Sequence, residues 1–160
     1  MLPLQNIIAK IVNLSQRIIN SYVKTMIKFL KKYPLSLIVV AIILFLSFFK
    51  PPKEKVIDIS NIDKLAHFCM YAGFCSVVWF EYFLSHNGVS RGRVIWLAVI
   101  APIVFSGAIE VMQGYMTTYR GMDWYDLLFN TIGVIFALLF AKFILRPRVV
   151  AYKAKRNSGK

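Results

Sequence analysis

Apolar residues fall into four long blocks with polar breaks between them, and a segment of different pattern comes first. From residue 4 to 32, apolar positions recur three and four apart: Ile7, Ile8, Ile11, Leu14, Ile18, Ile19, Tyr22, Val23, Met26, Ile27 and Leu30. That is the spacing of one helix face. Lys10, Asn13, Arg17, Asn20, Lys24, Lys28 and Lys31 occupy the other face. Residues 1–32 are therefore predicted to form an amphipathic helix lying in a membrane interface, with its apolar face among acyl chains. A partner-binding helix or an oligomeric coil would show the same pattern.

The four blocks run from Tyr33 to Phe49, Asp63 to Leu84, Val94 to Gln113 and Asp123 to Leu145. A hydrocarbon core about 30 Å thick needs roughly 20 apolar residues in a helix, so each block predicts one crossing. The first is short, about 25 Å at 1.5 Å per residue, but Lys31 and Lys32 can snorkel and extend it. Lys50-Pro51-Pro52, the turn Ser85-His86-Asn87-Gly88, the polar connector 114–122 and Arg146-Pro147-Arg148 are expected to end successive crossings. Pro102 predicts a kink in the third. The expected fold is an all-α integral membrane protein, a four-transmembrane-helix bundle over 33–146. The interfacial helix 1–32 precedes it and a basic tail, 147–160, follows.

Composition agrees. Hydrophobic residues make up 58% of 160 and mean hydropathy is +0.61, above the roughly 45–50% apolar share of soluble domains. The net charge of +13 would suit nucleic acid or anionic lipid. The Lys and Arg residues flank apolar blocks, and no glycine-rich phosphate loop or basic-aromatic element is present, so the membrane surface is favoured over nucleic acid. Four crossings put both termini and the 85–93 loop on one side, with fifteen Lys and Arg against five on the other. The excess places both termini in the cytoplasm. No small-residue cleavage site follows the first block, which reads as a retained anchor. Cys69 and Cys75, six apart, point in different directions and are expected to be buried free thiols.

This topology gathers polar residues from three crossings at the outer edge. Asp63, His67 and Tyr71 share a face of the second crossing, with Lys64 beside them. Glu110 and Gln113 share a face near the end of the third. Asp123, Asp126, Asn130 and Gly133 form a stripe at the start of the fourth, with Arg120 just ahead. Ionisable groups within a membrane are costly and turn toward the bundle interior. The expectation is a half-buried polar pocket opening outward, with Gly133 permitting close helix approach. Simpler roles exist for each residue: Asp63, Asp123 and Asp126 as helix caps, Arg120 as an ion-pair partner, His67 as a bonded core histidine, Asn130 as interhelical glue. Glu81, near the inner edge, is expected to meet Arg91 or Arg93.

The series Asp63-Lys64-x-x-His67, Glu110-x-x-Gln113 and Arg120-x-x-Asp123-x-x-Asp126-x-x-x-Asn130-x-x-Gly133 resembles the VanZ-like membrane protein family over about residues 35–145. The N-terminal amphipathic segment lies outside that pattern. The resemblance implies a bacterial cytoplasmic-membrane protein, and the family is associated with resistance to the glycopeptide teicoplanin.

Two functions from different classes are compatible with these residues. The first is binding or modulation of a membrane lipid, a lipid-linked envelope precursor or a lipoglycopeptide, with Asp63, Lys64, His67, Glu110, Gln113, Arg120, Asp123, Asp126 and Asn130 as binding residues. Arg120 and Lys64 would contact phosphate or carboxylate. The second is a membrane-embedded enzyme using His67, Glu110 or Asp126 for acid-base chemistry. A membrane scaffold would need neither. No cofactor is expected. No established metal-ligand spacing is present, although a histidine with several carboxylates can hold a divalent ion.

Overall fold

In the computed structural model every regular element is helical, and the structure describes residues 2–48, 60–86, 88, 92, 95–116 and 123–159. The chain divides into two units, residues 1–34 and 35–160.

The first unit is helix α1, Leu2–Lys32. No β-branched run or internal proline interrupts it. The Tyr33 N–H continues its bonding by donating to the Phe29 carbonyl (3.1 Å). Residues 6–32 are all exposed, the apolar face as well as the basic one.

The second unit is built from α2 (Pro34–Phe48), α3 (Ser60–Ser85), α4 (Ala101–Met116), α5 (Trp124–Phe140) and α6 (Arg146–Ser158). Among the described residues, three helical segments are long and apolar enough to cross a membrane: 62–85, 98–116 and the continuous run 124–158. With 15 residues, α2 extends about 22 Å and qualifies as a fourth only together with residues before it. The expected four crossings are thus three to four by length and composition.

Pro147, expected to stop a helix, lies inside a continuous helical run, and Pro102 lies inside another. A proline inside an α-helix loses one hydrogen bond and its ring meets the carbonyl four residues back. Ahead of α4 the chain forms a π-helical turn, Trp96–Ile100, closed by the Ala101 N–H to the Trp96 carbonyl. Pro102 follows directly at the start of α4, and the helical run continues through it to Met116. The same device recurs at Ala141–Leu145, with the Arg146 N–H on the Ala141 carbonyl and Pro147 in the first turn of α6. Arg146-Pro147-Arg148 therefore does not end the helix, and the expected tail 147–160 is helical from Arg146 to Ser158.

Helix directions follow from the contacts. The start of α2 meets the end of α3, because Glu81 accepts from the Leu35 N–H (2.8 Å) and the Ser36 N–H (3.0 Å). The end of α2 meets the end of α4, where the Gln113 side chain donates to the Ser47 carbonyl (2.8 Å). The starts of α3 and α5 lie together through His67 and Asp126. Consequently the end of α2, the start of α3, the end of α4 and the start of α5 share one edge, as the sequence pattern requires.

The core comprises Ile43, Tyr71, Phe74, Cys75, Ile109, Val134 and Ala137. At its tightest point Gly133 of α5 lies directly on α3. A Cβ built there would be 2.6 Å from the Phe68 carbonyl oxygen and 3.0 Å from the Ala72 nitrogen. Small residues let membrane helices approach in this way. Large apolar residues such as Leu65, Val104, Ile132 and Phe136 remain exposed on the outside, the arrangement a lipid-facing surface demands. Cys75 is buried, but Cys69, expected to be buried, is exposed, because the two thiols sit on different faces of α3.

Candidate functional site

His67 is the hub of the polar edge. It lies two turns into α3 and is 3% exposed. Its Nδ1 is 3.2 Å from the Asn130 Oδ1 and 3.9 Å from the Glu110 Oε1. Its Nε2 is 3.3 Å from the Asp126 Oδ2. Glu110, Asn130 and Asp126 are also buried, at 2%, 2% and 4% exposure. Three helices thus converge on one imidazole.

The hydrogen bonds orient that imidazole. The Asn130 Nδ2 donates to the Ser106 hydroxyl oxygen at 2.7 Å, so its Oδ1 turns to His67. A carbonyl oxygen only accepts, so Nδ1 carries a proton and the Nε2 side faces the Asp126 carboxylate. Such a pair can pass a proton between imidazole and carboxylate. Asp63, exposed in the first turn of α3, completes a group with His67 and Asp126 whose donor atoms all lie within 4.8 Å of one another. One divalent ion can bridge donors at that spacing. Tyr71, 2% exposed, lies in the next layer beside Ser106 and Glu110.

The remaining predicted residues have separate tasks. Asp123 caps α5, accepting from the Tyr125 N–H (2.8 Å), so its capping role is observed. Gln113 is buried but reaches the last turn of α2 rather than His67. Lys64 lies outside the buried group, with its ammonium 5.6 Å from the centre of the Tyr125 ring. It heads a groove between α3 and α5, lined by Lys64, Leu65, Phe68, Phe129 and Ile132, with a volume of about 540 Å³. Arg120 lies outside the described residues. Among the described residues, the polar group centred on His67 is packed, and an apolar groove lies beside it.

Sequence reasoning missed two polar contributors, and a third has a partner it did not anticipate. Ser106 is 1% exposed and anchors Asn130; it lies one turn before Glu110 on the same face, which was the available signal. Ser47 contributes only a backbone carbonyl, which leaves no trace in a sequence. Glu81, named in the sequence as near the inner edge, accepts from the Leu35 and Ser36 N–H groups and from the Ser36 hydroxyl. Arg91 and Arg93 lie outside the described residues. A carboxylate at a helix N-terminus satisfies otherwise unpaired donors and is favoured by the helix dipole.

Fold and site together define a class: a multi-pass α-helical membrane protein whose helices bury a histidine-carboxylate-amide group at one edge. The family follows from comparison. The chain belongs to the VanZ/LLP1 family, whose model matches residues 1–146. That match includes α1, which corrects the expectation that the N-terminal segment lies outside the family pattern. No curated protein and no solved structure matches the chain.

Proposed function

We propose that this protein binds a lipid or lipid-linked envelope component at the outer edge of the bacterial cytoplasmic membrane, and thereby modulates access to cell-wall precursors. The observation that carries this reading is the groove headed by Lys64. Its walls, Leu65, Phe68, Phe129 and Ile132, suit an acyl chain, and its one cation suits a phosphate at the mouth. Asp63 and Lys64 lead from the groove to the His67 group, which offers donors and acceptors to a polar head group. Both termini are cytoplasmic on this reading, from the Lys and Arg bias. Helix α1 lies in the interface with its exposed apolar stripe among acyl chains, and α6 is the basic cytoplasmic helix. Altered tolerance of a lipoglycopeptide such as teicoplanin would be one consequence.

The test is the lipid that copurifies from mild detergent, identified by mass spectrometry. Ile132→Trp, which fills the groove from an exposed position, combined with Lys64→Glu, is expected to strip it. Undiminished lipid in that variant would overturn the reading.

A second reading, a membrane-embedded enzyme acting on the head group, is favoured by the His67–Asp126 contact and the Asp63–His67–Asp126 donor group. There His67 and Asp126 would exchange a proton with the substrate, with Asn130 and Glu110 holding the imidazole. Full retention of a glycopeptide-tolerance phenotype in His67→Ala would remove it.

A further inference from the structure

The opposite edge carries a second construction, which the outer site does not use and which stands independently of it. The helical run Trp124–Ser158 is 35 residues long, about 52 Å, and exceeds a hydrocarbon core of about 30 Å. Arg146 lies 22 residues beyond Trp124, roughly 33 Å along the axis at 1.5 Å per residue. With Trp124 at one hydrocarbon boundary and the run along the bilayer normal, Arg146 would come to the level of the lipid phosphates.

At that level α6 does not leave the protein. Val149, 5% exposed, packs it against the end of α3, and the Lys153 ammonium donates to the His86 carbonyl (3.1 Å). The His86 ring is stacked on Tyr82, with centroids 4.4 Å apart, and its Nδ1 donates to the Tyr82 carbonyl (3.1 Å). Arg146 and Lys153, seven residues apart, share one helix face. With Phe83 and His86 they line a cleft of about 300 Å³. On the other side of Val149 a slot of about 350 Å³ is walled by Phe80, Leu84, Leu145 and Tyr152, with Arg148 at its rim. The helix carries Arg146, Arg148, Lys153, Lys155 and Arg156 and no acidic residue.

A cationic cleft at phosphate depth beside an apolar slot at the hydrocarbon boundary matches one kind of occupant. We propose that the junction of α3 and α6 is a binding site for an anionic glycerophospholipid. Arg146 and Lys153 take the phosphate, Arg forming paired hydrogen bonds with its oxygens. The slot along Phe80, Leu84 and Tyr152 takes the upper part of one acyl chain. A zwitterionic lipid would carry its own cation to the same face and gain less, so the site selects by net head-group charge.

The experiment is native mass spectrometry of the full-length protein in detergent, titrated in parallel with phosphatidylglycerol, phosphatidylcholine and water-soluble glycerol phosphate. Phosphatidylglycerol is expected to bind at one saturable site, at least tenfold more tightly than phosphatidylcholine, with glycerol phosphate neither binding nor competing. Arg146→Gln together with Lys153→Gln should weaken phosphatidylglycerol roughly thirtyfold, as expected for two surface cations, and leave phosphatidylcholine unchanged. Because Lys153 also holds α6 to α3, Arg146→Gln alone, at an exposed position, is the second variant, with about a fivefold loss expected. Tyr152→Ser should weaken the lipid by thinning the slot wall. Equal affinity for the two lipids, undiminished phosphatidylglycerol binding in Arg146→Gln, or competition by glycerol phosphate would each overturn the proposal, the last by showing a simple phosphate site.

Discussion

Replacing Gly133 by alanine tests the closest helix contact and its link to the polar group. The new Cβ would stand 2.6 Å from the Phe68 carbonyl oxygen, 3.0 Å from the Ala72 nitrogen and 3.3 Å from the Tyr71 Cβ, whereas ordinary contact begins near 3.4 Å. Two of these three neighbours are backbone atoms, so no rotamer change can relieve the clash. The helices α3 and α5 must separate by about 0.8 Å at this level, the difference between 3.4 and 2.6 Å. Overpacking of this kind costs about 1–3 kcal/mol. For a chain of this size the thermal midpoint should fall by about 2–12 °C, at roughly 2–4 °C per kcal/mol. The separation also reaches the His67–Asn130 and His67–Asp126 contacts on the same helix pair, one and two turns toward the polar edge. Gly73 is the internal control: it lies on α3, and a Cβ there meets nothing within 4 Å. Gly73→Ala should be neutral or gain about 0.5–1 kcal/mol, since glycine costs helix stability. Thermal unfolding in detergent reads both. If Gly133→Ala melts with the wild type, or if Gly73→Ala loses as much, close approach at Gly133 is not what sets the α3–α5 spacing.

Three further outcomes follow from the buried polar contacts. Glu81→Ala removes the acceptors for both N–H groups and the hydroxyl at the start of α2; it should destabilise by at least about 2 kcal/mol and raise amide exchange in residues 35–43, and unchanged exchange there would show that packing alone docks α2. Gln113→Ala frees the Ser47 carbonyl, with a loss of about 1–2 kcal/mol and faster exchange confined to the other end of α2. Ser106→Ala removes the anchor of Asn130; a loss near 1 kcal/mol is expected, with a change in the His67 imidazole NMR signals, and unperturbed signals would mean that Ser106 does not orient the ring through Asn130.

The sequence by itself determined the helical class, the positions of the apolar segments and the edge at which His67, Glu110, Asp126 and Asn130 meet. Those properties are local: apolar length marks a membrane segment, and residues three, four and seven apart share a helix face whatever surrounds them. Alternating direction from helix to helix then delivers their ends to a common level. The tertiary structure decided which polar atoms pair. Whether Gln113 would turn to His67 or to the Ser47 carbonyl depends on where α2 ends in space, and a backbone acceptor is the same at every position in a sequence. Glu81 found the start of α2 for the same reason, since unpaired N–H groups at a helix terminus attract a carboxylate as strongly as a charged side chain does. Pro102 and Pro147 stand within longer helical runs because a π-helical turn precedes each, a backbone adjustment without a composition signature. The clearance between Gly133 and the Phe68 carbonyl is likewise a property of two helices together: glycine in the sequence permitted the approach, and only packing made it necessary.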